Sequence, residues 1–221
     1  MKILFTKTQL DQTGIKSYFG ERVHCHFLDV ISTKTIKIQP FPVDGKALIF
    51  TSVNGVKAFH ENKFVLNPHQ SIFCVGEKTT RQLHKHGYTV RETAGNAAEL
   101  AEILIEKYNK NHFLHFCGNI ALETIGEKLS KKKIPYQKEV IYETLPLNPE
   151  ITEKFEAVAF FSPSGVRSFA NQNSFSGRRF FSIGKTTEDE INKYTSEPVI
   201  TSKENTLEDL LTLMKEHLHR A

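Results

Sequence analysis

Cysteine is scarce in this chain. Only Cys25, Cys74 and Cys117 occur among 221 residues, an odd number without C-x-x-C spacing, which argues against a disulfide framework or a zinc ribbon. Each lies in a strand-like run (VHCHFL, SIFCVG, FLHFCG), the pattern of a small buried thiol in a reducing compartment. Long apolar runs are missing too. No window approaches the roughly eighteen consecutive apolar residues of a membrane span, so no membrane partner is expected. The opening MKILFTKTQLDQ has three apolar residues in a row before polar ones, too few for the core of a secretory signal, and a cytoplasmic location is expected.

Charge of one sign does not dominate either. The formal net charge of +4 permits nucleic acid without requiring it, and the only basic run, Lys131-Lys132-Lys133, closes a predicted helix, where cations complement exposed carbonyls. No nucleic-acid partner is expected. The familiar nucleotide loops are absent: no G-x-G-x-x-G follows the first strand, and Gly184-Lys185-Thr186 mimics a P-loop tail but has Arg179 where that loop needs glycine. No G-x-S-x-G or H-E-x-x-H occurs. His24 and His26 share a strand face and His84 and His86 lie close in sequence, but no carboxylate or thiol at ligand spacing completes either pair. No metal is expected, and nucleotide binding through those loops is disfavoured.

What is present is a repeat. ALIFTSVNGVKAF begins at residue 47 and AVAFFSPSGVRSF at 157, and six of their thirteen positions are identical. Further on, Gly76, Thr79 and Leu83 match Gly184, Thr187 and Ile191 as G-x-x-T-x-x-x-[LI], and ETAGNAAEL matches TSKENTLEDL. Three matched blocks in one order indicate a duplicated unit. Within each copy, strands of five or six residues alternate with helices of ten to fifteen, the rhythm of a parallel, doubly wound sheet. Two extended polar segments interrupt it, and if they pair antiparallel they form a two-stranded linker. The expected fold is therefore two similar parallel-sheet α/β domains. The boundaries are 1–31 plus 146–221 for a discontinuous domain, 39–137 for an inserted one, and 32–38 with 138–145 for the linker.

In both copies small polar residues stand at the carboxyl ends of strands and open helices, where free backbone N–H groups attract anions. Ser52, Asn54 and Gly55 in one copy, and Ser162, Ser164 and Gly165 in the other, could each cradle a carboxylate, as could the loops opening at Gly76 and Gly184. The same serines and asparagine are equally good helix caps.

Taken in order, FTS…GVKAF, CVGEKTT, LHFCGN, VIYET, FFSPSGVRSF and SIGKTT resemble the uroporphyrinogen-III synthase family along essentially the whole chain. The resemblance implies two α/β domains on a two-stranded linker with the active site in the cleft between them. It also implies a cofactor-free monomeric enzyme that converts hydroxymethylbilane, a linear tetrapyrrole, to uroporphyrinogen III with ring D inverted. Tyr142, in VIYET, matches the tyrosine proposed in the family to assist departure of the hydroxyl. Thr186 and Thr187 match a threonine pair lining the cleft, Ser162, Ser164 and Gly165 a serine loop, and Cys117-Gly118-Asn119 a loop of the second domain. Lys7 stands where an arginine often follows the first strand, and Ala121 and Leu122 replace basic residues common in relatives, for which Lys78, Lys185 or Arg167 could compensate. The competing readings are a two-lobed binding protein for a small polycarboxylate and a regulatory descendant that has lost the reaction.

Overall fold

The computed structural model describes residues 1–67 and 69–219. The chain opens with β1 (Lys2–Phe5), α1 (Gln12–Phe19) and β2 (His24–Phe27), then leaves through β3 (Ile31–Thr35). An inserted segment follows: β4 (Lys46–Phe50), α2 (Val53–Glu61), β5 (Ile72–Val75), α3 (Glu77–Lys85), β6 (Glu92–Ala94), α4 (Ala97–Lys107), β7 (His112–Gly118) and α5 (Thr124–Lys131). The chain returns on β8 (Tyr136–Pro146) and finishes with β9 (Ala157–Phe160), α6 (Pro163–Ala170), β10 (Arg179–Ser182), α7 (Lys185–Ile191), β11 (Val199–Thr201) and α8 (Leu207–His219). Two compact units result, one holding residues 1–32 and the chain from 145 onward, the other Thr33–Thr144.

The first unit is a parallel sheet ordered β11-β10-β9-β1-β2. The second is ordered β3-β8-β7-β4-β5-β6, parallel from β8 to β6. Ile36 N–H donates to Ile141 C=O at 2.9 Å and Leu147 N–H to Val30 C=O at 3.0 Å, so β3 and β8 run in opposite directions. The fold is thus two α/β domains, one discontinuous, joined by a short antiparallel linker.

Strands such as KALIF are buried on both faces because helices cover both. In the inserted unit Leu48, Phe50, Leu114 and Phe116 face α2 and α3, while Ala47, Ile49, Phe73 and Phe113 face α4 and α5. In the other unit α1 and α8 cover Ile3, Phe5 and Phe181, and α6 and α7 cover Leu4, Phe160 and Phe180. Each fully buried phenylalanine contributes about 1.5–3 kcal/mol relative to exposure, so the aromatic contacts among Phe50, Phe59, Phe64 and Phe116 anchor α2 firmly on its sheet. Side chains of Asp11, Ser52, Asn96 and Ser162 each accept an N–H from the first turn of their helix, which fixes where those helices start.

The two sheets have the same strand arrangement, with β4, β5, β6, β7 and β8 corresponding in position to β9, β10, β11, β1 and β2. One unit is therefore a circular permutation of the other. In both, successive strands run outward in opposite directions from one central pair, β4 with β7 and β1 with β9. These are topological switch points, and open parallel sheets bind ligands outside the carboxyl ends of such a pair.

Most of the helices stop short of the ten to fifteen residues expected, and two elements differ further. The helix expected from Asn119 starts at Thr124, because Asn119 N–H is taken by Tyr142 C=O and Ala121 N–H by Gly118 C=O, leaving a pinned loop. The strand expected over YTVRET is confined to Glu92–Ala94 at the sheet edge.

Candidate functional site

Four of the expected site residues meet at the switch point of the inserted unit. Ser52 follows β4 and caps α2, its Oγ accepting Gly55 N–H at 3.1 Å. Gly118 ends β7. Tyr142 comes from β8, and its Oη lies 2.9 Å from Ser52 Oγ. The pairing of β7 with β8 slips between Cys117 and Gly118, so that Cys117 stands opposite Val140 but Gly118 opposite Tyr142. This bulge re-aims the tyrosine, as extra residues in a strand commonly do. The phenol then lies directly over Gly118, where a Cβ would sit 2.5 Å from ring atoms Cε2 and Cζ. Only glycine leaves that space. Asn119 completes the corner: its N–H donates to Tyr142 C=O at 3.1 Å and its Oδ1 accepts Thr144 N–H at 2.9 Å.

Burial pushes the Tyr142 phenol above its ordinary value, the bond from Ser52 opposes this, and the neighbouring Cys117 adds to the rise. The phenol stays protonated at physiological pH. Cys117 itself is pushed up to about 11, chiefly by burial, so it is neither a thiolate nor a nucleophile there. Asn54 occupies the first turn of α2, half-buried. Gly76 stands before α3 and its N–H donates to Ala94 C=O at 2.9 Å.

Beneath the corner lies a buried polar group that sequence reasoning missed. His115, 1% exposed, has Nδ1 at 2.8 Å from Tyr136 Oη and Nε2 at 3.0 Å from Thr51 Oγ1. Burial first and Lys138 second lower its pKa to about 4, against a smaller opposing effect of Glu123, so the ring is neutral at physiological pH. The available signal was a histidine in the middle of the otherwise apolar strand FLHFCG.

The discontinuous unit carries the corresponding rim. Ser162 caps α6, its Oγ accepting Gly165 N–H at 3.1 Å and lying 3.1 Å from Ser164 Oγ. Lys7 is exposed just past β1, the strand that pairs with β9 at this switch point. Thr6 closes the pair, its Oγ1 donating to Ala159 C=O at 2.9 Å, and the Asp29 carboxylate holds Thr8 through backbone and hydroxyl. At Gly184 a Cβ would meet Asn205 Oδ1 at 1.9 Å, so a side chain there would displace the 205 loop. The cations suggested as compensating ones are largely committed. Lys185 pairs with Glu188 and Asp189, and Arg167 with the buried Glu190, which also takes Lys193.

The threonine pair divides. Thr187 is buried in the first turn of α7, as Thr79 is in α3, whereas Thr186 is exposed. Thr187→Ala is expected to cost about 1 kcal/mol, a fall in Tm of about 2–4 °C for a chain of this size. Thr186→Ala leaves the melting temperature unchanged and raises KM if its hydroxyl meets substrate. Calorimetry beside steady-state kinetics distinguishes the two.

Among the described residues no group of three or more His, Cys, Asp or Glu side chains is placed to hold a metal ion, and no helix is long and apolar enough to cross a membrane. A family model described as uroporphyrinogen-III synthase HemD matches residues 16–212. The chain belongs to the uroporphyrinogen-III synthase family. Solved structures agree in fold. Uroporphyrinogen-III synthetase from Helicobacter pylori 26695 superposes with a TM-score of 0.72 at 19% identity, covering 98% of this chain and 99% of that one. A mutant uroporphyrinogen III synthase from the extremely thermophilic bacterium Thermus thermophilus gives 0.69 at 15% identity over 100% and 99% of the two chains, and its wild-type form in another crystal 0.52 at 13% over 99% and 98%. At such identities the likeness is one of fold, and within the synthase family it leaves the chemistry to be argued from side chains.

Proposed function

We propose that this chain is a uroporphyrinogen-III synthase, which closes hydroxymethylbilane to uroporphyrinogen III with loss of one water and inversion of ring D. The observation that carries this is the Tyr142–Ser52 hydrogen bond over Gly118 at a sheet switch point, in a chain of the synthase family. The substrate bears acetate and propionate groups on every ring. Rims of capping serines, helix N-termini and Lys7 suit such a polyanion. Asn54, Gly76, Asn119, Ser164, Gly184 and Thr186 extend those rims in this reading.

The reaction is redox-neutral and needs no strong base. The pyrrole nitrogen of ring A pushes out the terminal hydroxyl and gives up its own N–H proton, so that the two leave together as one water and a neutral azafulvene remains. The substituted carbon of ring D attacks the exocyclic methylene to form a spiro intermediate, which breaks and recloses with ring D turned over. Tyr142 serves the first step. Gly55 N–H donates to Ser52 Oγ, and Ser52 can donate in turn to Tyr142 Oη, which frees the phenolic proton for the leaving oxygen. Hydrogen bonds in such a chain polarise one another. A phenol held above its ordinary pKa is a poor full proton donor near neutrality, because general acids work best with a pKa close to the operating pH. It therefore acts as a hydrogen-bond donor to the departing hydroxyl.

Steering the azafulvene is the larger task. Holding ring D over ring A is an orientation effect, and such effects supply up to roughly 7–11 kcal/mol. Tyr142→Phe is accordingly expected to lower kcat by about 10–100-fold, below the full range of general acid catalysis, with little change in Tm. An unchanged kcat removes Tyr142 from the mechanism. The assignment itself is tested by adding freshly prepared hydroxymethylbilane and separating the products. Type III isomer is expected, and type I alone refutes the proposal.

A further inference from the structure

The Thr51–His115–Tyr136 group crosses the same three strands as the candidate site, on the other face of the sheet. Thr51 directly follows β4, His115 lies on β7 and Tyr136 begins β8. Ser52 follows β4, Gly118 ends β7 and Tyr142 lies on β8, the same three strands in the same order. The faces are set by alternation. Leu114 and Phe116, on either side of His115, pack under α2 and α3, as Tyr142 does, whereas Phe113 and Tyr136 pack under α4 and α5. One peptide bond connects the two groups, between Thr51 and Ser52.

We propose that His115 is a positioning residue: by holding the Thr51 hydroxyl it fixes the turn that presents Ser52 Oγ to Tyr142. Both ring nitrogens are engaged, so the imidazole cannot turn without breaking a bond inside the core, where an unmade hydrogen bond is costly. The more acidic hydroxyl donates: Tyr136 O–H to Nδ1, which leaves the proton on Nε2 to be given to Thr51 Oγ1. A neutral ring with one defined tautomer thus acts as a rigid strut between β8 and the end of β4. Phenylalanine would fill the same space, and a purely packing role would make it the natural occupant. Phenylalanine could not hold Thr51 and Tyr136 together, as the His115 ring does at 3.0 and 2.8 Å.

The inference rests on the synthase reading for its kinetic readout, but not for its spectroscopic one. In protein carrying [13Cζ]-tyrosine, with Tyr142→Phe identifying the signal, His115→Phe is expected to shift the Tyr142 resonance and its titration toward those of a free phenol. It should also lower kcat about tenfold with KM unchanged, less than the hundredfold of a 1 Å misplacement. His115→Gln, which keeps a donor within reach of Thr51, is expected to restore most of both. If His115→Phe does not fold, Thr51→Val removes the same bond from a half-buried position and carries the same expectations. A Tyr142 resonance and kcat at wild-type values in the folded variant, whatever its Tm, overturn the proposal. If the wild type yields only type I isomer, the synthase reading fails and the resonance alone decides.

Discussion

Gly118→Ala is expected to remain folded and to lose turnover by up to about 10²-fold, no further than Tyr142→Phe does. The added methyl would lie 2.5 Å from two carbons of the Tyr142 ring and 2.9 Å from its Oη, against ordinary contacts of 3.4–4 Å. The ring has to retreat by close to 1 Å, and displacements of that size at reacting groups cost on the order of 10²-fold in rate. Retreat also breaks the bond to Ser52, which leaves the cap of α2 intact because Gly55 N–H still reaches Ser52 Oγ. The structural penalty is that of overpacking, about 1–3 kcal/mol, tolerable for a domain whose core is otherwise untouched. Circular dichroism and a melt establish that the variant is folded, and isomer analysis gives the rate. The control is the double variant with Tyr142→Phe. If Gly118 acts through the phenol, the second substitution adds little to the first. Full additivity, or a Gly118→Ala variant at wild-type rate, would place the chemistry elsewhere.

The duplicated architecture was legible because its punctuation is chemical. Ser52 and Ser162 cap α2 and α6 with a side-chain oxygen, and Gly55 and Gly165 supply the N–H groups they accept, so both copies show S-x-x-G at the same point after a strand. The correspondence of β1 and β2 with β7 and β8 was not legible, because permutation places the equivalent strands at opposite ends of their units in the sequence.

The corner at Gly118 was readable only as a resemblance. VIYET looks like an unbroken strand, and nothing in its alternation reveals that Ile141 is the residue slipped between the partners of Cys117 and Gly118. The His115 group was hidden for a different reason. Its members are 64 and 21 residues away from the histidine, and only the order of β4, β7 and β8 in the sheet brings them together. Charge was the least legible property. Lys185 and Arg167 are available cations in the sequence, but each has a carboxylate of its own unit within 3.0 Å.

His115 also governs an acid limb of stability. Its folded pKa of about 4 lies below the ordinary value of 6.5, so between those two pH values the unfolded chain binds a proton that the folded chain does not. Stability therefore rises with pH across this window and is lost as pH falls from 6.5 toward 4, with no further loss from this group once the folded form also protonates. At about 1.4 kcal/mol per pKa unit the loss is roughly 3 kcal/mol, a large part of the stability of a typical domain. The groups facing the ring agree with this sign. Lys138 opposes a second positive charge, the weaker pull of Glu123 does not offset burial, and Tyr136, Cys117 and Thr51 are neutral. His60, lowered by burial and by His86, adds a smaller loss of the same sign. Comparison with His115→Phe isolates the larger one. In urea titrations at pH 7, 5.5 and 4.5 the wild type should lose stability steeply and the variant should be flatter by most of that 3 kcal/mol. Parallel pH profiles in the two proteins would mean that the imidazole already protonates inside the fold near its ordinary value, and that the buried strut is not neutral.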